Sequence, residues 1–256
     1  MGELFNTIIF EPLFNALIGI YHIIPDLGVA IIILTLVIKL ILLVPSRSSI
    51  VSQKKLQDMQ PQLQALQKKY KDNREELGRQ MMKFYKDNKV NPLSSCLPIL
   101  IQFPVLIGLY RVFLAVSHID PATGILAQDQ VAHLYPVLHN VYTVTAIDPY
   151  FLGFVDLNAT GNWVLAILAG AAQFFQSRML ISNKPPKVEG AKDESMASSM
   201  SKQMTYLFPI MIAYFSYRFP AGLALYWLFA TLFQLGQQYL LFKKPKNVQP
   251  SSPPNV

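Results

Sequence analysis

Apolar residues fall along this chain in long blocks rather than in short alternations. Four blocks approach or reach the roughly 20 residues that an α-helix needs to cross a bilayer: Leu27–Val44, Leu97–Ser117, Trp163–Ile181 and Leu223–Leu241. A shorter block, Thr205–Phe219, precedes Pro220, Ala221 and Gly222, so residues 205–241 read as two helical arms joined by a tight turn. Residues 4–24 are also apolar but carry Glu11, Pro12 and Asn15 midway. A carboxylate at the bilayer centre costs at least ~2.5 kcal/mol. An amphipathic helix lying in the interface avoids that cost, and the interfacial reading is preferred over a span.

Between the first two blocks the period changes. Ile50, Val51, Leu56, Met59, Leu63, Leu66 and Tyr70 recur at helical spacing, as do Leu77, Met81, Phe84 and Tyr85 beyond the breaker Lys71-Asp72-Asn73. This predicts a helical hairpin with one apolar stripe per arm, with Pro61 kinking or restarting the first arm. The resulting division is 4–24 amphipathic helix, 27–44 first span, 46–91 hairpin, 97–117 second span, 118–162 loop and 163–181 third span. Residues 182–204 form a Pro- and Ser-containing loop, 205–219 and 222–242 the last two spans, and 243–256 a polar tail. The expected fold class is all-α and polytopic: a core of five transmembrane helices, an interfacial helix and a hairpin.

Composition supports a lipid-facing surface. Only 14% of residues are charged while 52% are hydrophobic, against about 25% charged in an ordinary soluble domain. The net charge of +7 is placed by its distribution, which is the signature of membrane topology rather than of DNA binding. Segment 46–91 holds eleven basic residues, among them Arg47, Lys54, Lys55, Lys68, Lys69 and Arg74, and further lysines stand at 184, 187, 192, 202, 243, 244 and 246. Segment 118–162 has Asp120, Asp129, Asp148 and Asp156 and no Lys or Arg. Basic loops stay in the cytoplasm, which predicts an outer N-terminus, an outer 118–162 segment and a cytoplasmic C-terminus. The single Cys96 and four histidines show no metal-ligand spacing, and no nucleotide-binding loop or nucleophile constellation appears. No cofactor and no catalytic chemistry are expected. Residues 1–6 hold Glu3 and no Lys or Arg, so the basic start of a secretory signal is missing.

Polar residues inside the apolar blocks are the candidate site. Thr35 and Lys39 share a face of the first span, and Gln102 lies near the start of the second. Gln173, Gln176 and Ser177 cluster late in the third, and Trp227, Thr231, Gln234 and Gln238 form one stripe on the last. On the predicted orientation nearly all belong to the inner half of the bilayer. That pattern fits a wet groove open to the cytoplasm better than a pore or carrier, which would place polar groups through the full thickness or at the midplane. Plainer readings stand beside this one. Lys39, six residues before Pro45, is about 9 Å from the helix end and within reach of the interface by snorkelling; Arg111 has the same option at the opposite face. Each glutamine is equally accounted for by an interhelical hydrogen bond of about 0.6 kcal/mol. Met59, Met81 and Met82 serve adaptable packing before they serve partner binding. Small-solute transport and a structural scaffold are the alternative functions.

Several motifs together resemble the YidC/Oxa/Alb insertase family in its short bacterial form, without the large outer domain. They are Gly28-Val-Ala-Ile-Ile-Ile-Leu-Thr35 leading to Lys39, Met59-Gln60-Pro61, and Met81-Met82-x-x-Tyr85-Lys86. Asn91-Pro92-Leu93-Ser94-Ser95-Cys96-Leu97-Pro98, Gln102-x-Pro104 and Phe219-Pro220-x-Gly222-Leu223-x-Leu225-Tyr226-Trp227 complete the set. The resemblance implies a bacterial plasma-membrane protein that inserts nascent membrane proteins into the phospholipid bilayer. The family acts alone or beside the Sec translocon and often at the ribosome. It also implies groove positions for Thr35, Lys39 and Gln102 and a substrate-contacting Trp227. The family usually has arginine where this chain has Lys39.

Overall fold

A computed structural model describes residues 2–70, 73–91, 97–120, 122–142, 145–180 and 203–243. Residues 182–202 of the predicted loop, nearly all of the tail and the Pro92–Cys96 part of the Asn-Pro-Leu motif lie outside these residues, whereas Gln203 and Met204 are already helical. The described chain is mostly helical. A short α1 (Gly2–Phe5) passes through a π-helical turn (Asn6–Phe10) into α2 (Glu11–Ile23), followed by α3 (Leu27–Ile41), α4 (Leu43–Asp58), α5 (Gln60–Lys69) and α6 (Arg74–Asp87). Then come α7 (Leu97–Ser117), the short α8 (Gln128–Val131) and α9 (Pro136–Tyr142), and a two-stranded ribbon of β1 (Tyr150–Phe151) and β2 (Val155–Asp156). The chain finishes in α10 (Trp163–Leu180), a π-helical turn (Gln203–Leu207), α11 (Phe208–Arg218) and α12 (Ala221–Lys243).

Two local departures from the sequence expectation have clear causes. The first apolar block does not run straight to Val44, because α3 ends at Ile41 and α4 leaves it at 68°. Pro45 has no N–H to give the Ile41 carbonyl and its ring crowds that carbonyl, so the helix must bend there. The last turn is also tighter than expected. Only Phe219 and Pro220 separate α11 from α12, and Ala221 and Gly222 are already helical.

By length and apolarity, two described helices can cross a membrane: Gly2–Ile23, with 22 residues and mean hydropathy 1.4, and Leu100–Ser117, with 18 residues and mean hydropathy 1.8. The bent pair Leu27–Ile41 and Leu43–Leu56 makes a third candidate. Helices α10 and α12 fall outside this set, their apolar runs interrupted by Gln173 and Gln176 and by Gln234, Gln237 and Gln238.

The core is one apolar cluster shared by the N-terminal helix and the bundle. Phe14, Leu17 and Ile18 from α2 are fully buried with Ala30 and Ile31 from α3, Leu109 and Val112 from α7, and Ala221 and Ala224 from α12. Helix α10 packs most extensively on α11 and α12, and α12 also lies along α3. Gly108 lets the N-terminal helix approach α7 closely: a Cβ there would sit 2.7 Å from Ile9 Cγ2 and 2.9 Å from Leu13 Cδ1.

The polar residues of the N-terminal helix, which motivated an interfacial reading, are turned inward onto the 118–162 segment. Asn15, only 5% exposed, donates to the carbonyls of Glu11 at 2.8 Å and His133 at 2.9 Å, and accepts from the Tyr135 N–H at 2.6 Å. Glu11 meets His133 Nδ1 at 3.2 Å, and the Tyr21 hydroxyl accepts from the Asp148 N–H at 2.8 Å. Asp26 serves two roles, capping α3 through the Val29 N–H at 2.9 Å and accepting from the Leu152 N–H at 2.8 Å.

The same segment closes over the α11–α12 turn. The first turn of a helix leaves N–H groups without intrahelical partners. Here the Ala221 N–H donates to the Ala159 carbonyl at 2.9 Å and the Gly222 N–H to the Leu157 carbonyl at 2.9 Å, while the Gly161 N–H reaches Tyr217 O at 2.8 Å. The Phe151 ring rests on Gly28, where any Cβ would lie 2.1 Å from its Cδ2.

Asp26→Ala removes both the α3 cap and the tie to Leu152, so the expected loss is about 1–2 kcal/mol, the upper range of cap deletions. Gly28→Leu should cost at least as much, because it displaces Phe151 from its seat. Thermal unfolding of the purified variants in detergent checks both, and unchanged midpoints would contradict the assigned contacts.

Candidate functional site

The polar side chains of the bundle form two groups. The first joins three helices. Lys39, on the last turn of α3 and half-buried, donates from Nζ to Gln102 Oε1 on α7 at 3.1 Å. Gln102 in turn donates from Nε2 to the hydroxyl of Tyr226 on α12. Both ends of the Gln102 amide are therefore used, and the chain Lys39–Gln102–Tyr226 runs across the bundle. Lys39 thus has a partner within the bundle, whichever way its aliphatic stem leans. Tyr226 is buried at 2% exposure.

Tyr226 was not among the residues singled out from the sequence as site candidates. A tyrosine inside Leu225-Tyr226-Trp227 reads as apolar core. The available signal was its hydroxyl, since a buried phenol needs a hydrogen-bond partner and Gln102 is the one amide side chain of α7.

Thr35 stands one turn before Lys39, but its hydroxyl is not offered to the bundle interior. It is 1% exposed and donates to the Ile31 carbonyl of its own helix at 2.6 Å. Such back-bonding satisfies a hydroxyl in an apolar setting without needing a neighbour.

The second group lies on α10. Gln173, Gln176 and Ser177 are buried, and Gln173 Nε2 donates to Gln176 Oε1 and to Ser177 Oγ, the latter at 3.4 Å. These bonds lie within one helix, so the two glutamines do not link helices through them. On α12 the stripe is graded: Thr231 and Gln238 are buried, while Trp227 and Gln234 are half-buried. Gln238 is fully buried, and neither its amide nitrogen nor its amide oxygen has a partner among the described residues. Leaving such a group unsatisfied costs about 1–3 kcal/mol, so this end of α12 holds unused hydrogen-bonding capacity. The neighbouring Gln237 is bonded, meeting Ser46 Oγ at 3.0 Å and thereby tying α12 to α4.

The site thus assembles Lys39, Gln102 and Tyr226 directly, with Trp227, Thr231 and Gln234 on the same helix as Tyr226, and Gln173 and Gln176 on α10. Among the described residues no group of three or more His, Cys, Asp or Glu side chains could hold a metal ion. What the arrangement offers is one cation, several amide groups and an aromatic ring, a chemistry of hydrogen bonding and charge attraction.

Arg111 sits elsewhere and is not simply extended to an interface. Its guanidinium donates to Asn6 Oδ1 and stacks over the rings of Phe10 at 5.1 Å and Phe5 at 5.7 Å. That contact binds α7 to the start of the N-terminal helix.

Comparison with known proteins places these features in context. A family model described as 60Kd inner membrane protein matches residues 19–248. The membrane protein insertase YidC of Fusobacterium nucleatum is 34% identical over 219 residues, covering 86% of this chain and 87% of the relative. That of Clostridium tetani is 36% identical over 216 residues, covering 84% and 81%. The YidC of Lawsonia intracellularis, 33% identical over 240 residues, is much longer, and the chain spans 39% of its length. A solved structure described as an active YidC insertase with the first transmembrane domain resolved superposes with a TM-score of 0.57 at 25% identity, covering 90% of this chain and 45% of that one.

The Lys39–Gln102–Tyr226 chain makes a measurable claim. In a double-mutant cycle on Gln102→Leu and Tyr226→Phe, the two changes should couple by about 0.5–3 kcal/mol of unfolding free energy, as contacting residues do. Tyr226→Phe alone should be the costlier per atom removed, because it leaves the half-buried Gln102 amide nitrogen without this partner. Additive effects within error would show that the two side chains do not meet.

Proposed function

Because the chain belongs to the 60Kd inner membrane protein family, we propose that it is a bacterial membrane protein insertase and foldase. The observation that carries this reading is Lys39 held by Gln102 and Tyr226 at the junction of α3, α7 and α12, with the other polar positions of the bundle gathered towards the same end. In this proposal five helices span the inner membrane, namely α3, α7, α10, α11 and α12, and the N-terminal helix lies along the outer interface. The 118–162 segment faces outward, and the hairpin, the 182–204 loop and the C-terminus face the cytoplasm. The excess of Lys and Arg in 46–91 and their absence from 118–162 support that orientation.

On this arrangement the polar end of the bundle forms a groove open to the cytoplasm and to lipid. A hydrophilic segment of a nascent membrane protein enters the inner half on water and amide groups and has only the outer half left to cross as hydrocarbon. Thr35, Lys39, Gln102, Gln173, Gln176, Trp227, Thr231 and Gln234 are its proposed lining, with Thr35 contributing surface rather than a free hydroxyl. Lys39 attracts acidic residues of the translocating segment. A pair at 4 Å gains about 4 kcal/mol at an effective dielectric of 20, strong enough to recruit and weak enough to release. Nascent membrane proteins and phospholipid are the direct partners, the Sec translocon is a further one, and the ribosome is met through the basic hairpin and tail. The driving force is partitioning into lipid, and no covalent step is involved.

Lys39→Arg should keep activity within about twofold, whereas Lys39→Glu should lower insertion of acidic-tailed substrates by about tenfold or more, equivalent to 1.4 kcal/mol per tenfold. Lys39→Ala should fall between them. Complementation of an insertase-depleted strain at matched protein levels, paired with crosslinking of a nascent chain from position 227, reads both function and path. Normal growth with Lys39→Glu would defeat the charge role. Solute flux through proteoliposomes containing only this protein would instead favour transport.

A further inference from the structure

A second polar site lies where the N-terminal helix, α7 and the 118–162 segment meet. A recess of about 180 Å³ opens there, lined by Phe10, Arg111, Leu114, His118, Gln130 and His133. One water occupies about 30 Å³ in the liquid, so the space suits a small polyatomic group rather than a single solvent molecule. Arg111 is its fixed charge. The guanidinium has five N–H donors, of which Asn6 takes one bond while Phe5 and Phe10 hold the plane. No carboxylate among the described residues lies within ion-pair distance of it. A half-buried arginine in an apolar helix ordinarily finds an anionic or carbonyl partner, and this one has most of its donors left over.

The other walls are consistent with an anion. His118 Nδ1 lies 2.6 Å from the Leu114 carbonyl and His133 Nδ1 lies 3.2 Å from Glu11 Oε1. Each ring therefore has Nε2 as its remaining nitrogen. Two carboxylates stand near, and both are engaged: Glu11 with His133, and Asp129 with the Gln130 amide at 2.7 Å.

From these observations we infer that the recess binds a phosphate group, with Arg111 as its principal ligand and His118, Gln130 and His133 at its rim. A planar guanidinium with free paired N–H groups matches phosphate oxygens bidentately. A phospholipid headgroup and free phosphate are the two sources of this chemistry. Binding here would clamp the N-terminal helix to α7 and to the 118–162 segment, giving that segment a role separate from the Lys39 site.

The test uses the purified full chain in a non-ionic detergent, titrated calorimetrically with short-chain phosphatidylglycerol, with inorganic phosphate and with short-chain diacylglycerol lacking phosphate. Saturable binding of phosphatidylglycerol, but not of diacylglycerol, is expected. Arg111→Gln should weaken it by about tenfold or more and Arg111→Lys by less, since lysine keeps the charge without the fork. His118→Gln, at an exposed position that tolerates change, should weaken it about twofold to fivefold, the scale of one lost rim contact. Saturation by inorganic phosphate alone would support the site and identify free phosphate as its ligand. Equal affinity in Arg111→Gln and in the parent, or no binding of either phosphate-bearing probe, would overturn the inference.

Discussion

Within the hydrocarbon of a bilayer a polar group has no water to turn to, so each one must be bonded inside the protein or kept beside a wet cavity. Most of what distinguishes the two ends of this bundle follows from that constraint. At the end formed by residues 118–162 many polar groups are consumed, although the buried Ser216 hydroxyl has no partner among the described residues and Arg111 keeps donors to spare. Asn15 uses its amide on backbone groups of His133 and Tyr135, Asp26 divides its carboxylate between Val29 and Leu152, and the opening N–H groups of α12 are taken by Leu157 and Ala159 carbonyls. Towards the other end the accounting is looser. Lys39 has one amide partner, and Gln238 has none among the described residues.

That asymmetry matters more than the number of polar residues. An end whose polar groups are largely paired holds its helices in one arrangement, because opening it would expose several unsatisfied groups together. An end with spare donors and acceptors accepts a guest at low cost, since the guest's backbone replaces water or fills bonds that were never made. A path closed on one side and adaptable on the other suits a protein that admits hydrophilic segments without leaking ions. The orientation proposed above puts the paired end outside.

The helices were legible in the sequence wherever one pattern dominated. The apolar run from Leu97 to Ser117 carries its own boundaries, and the breaker Lys71-Asp72-Asn73 marks the start of α6, where the structure adds that Asn73 caps the helix by accepting from the Glu76 N–H. The bend after Ile41 was also encoded, in Pro45, but an apolar run reading through to Val44 hid it. What no single-helix pattern contains is the identity of the facing helix. Glu11 and Asn15 stand out as polar positions of an apolar helix, but nothing near them in sequence points to His133 and Tyr135, about 120 residues away, which are brought onto them. Arg111 looks like a lysine-style anchor until Asn6 meets it. The polar positions of the candidate site were readable for the same reason that their partners were not. A glutamine in an apolar block stands out by composition, whereas a tyrosine such as Tyr226 is disguised by its ring.

The presence of lysine rather than arginine at position 39 can be weighed against this geometry. An arginine there would offer five donors in a plane and tend to be held by several acceptors at once, a strong fixed ligand for carboxylate. Lysine offers three donors on a flexible stem, and here one of them reaches Gln102 Oε1. In the proposed groove the remaining two would carry water or meet a passing acidic side chain, and the stem would let the charge move with that guest. Gln102 then acts as the tether that keeps the ammonium inside the bundle, and Tyr226 keeps Gln102 from turning away by accepting from its amide nitrogen. A single hydrogen bond of this kind contributes only about 1 kcal/mol net, so the tether holds the cation loosely. Loose tethering is the property a site needs when its charge must attract many different segments and release every one of them into lipid.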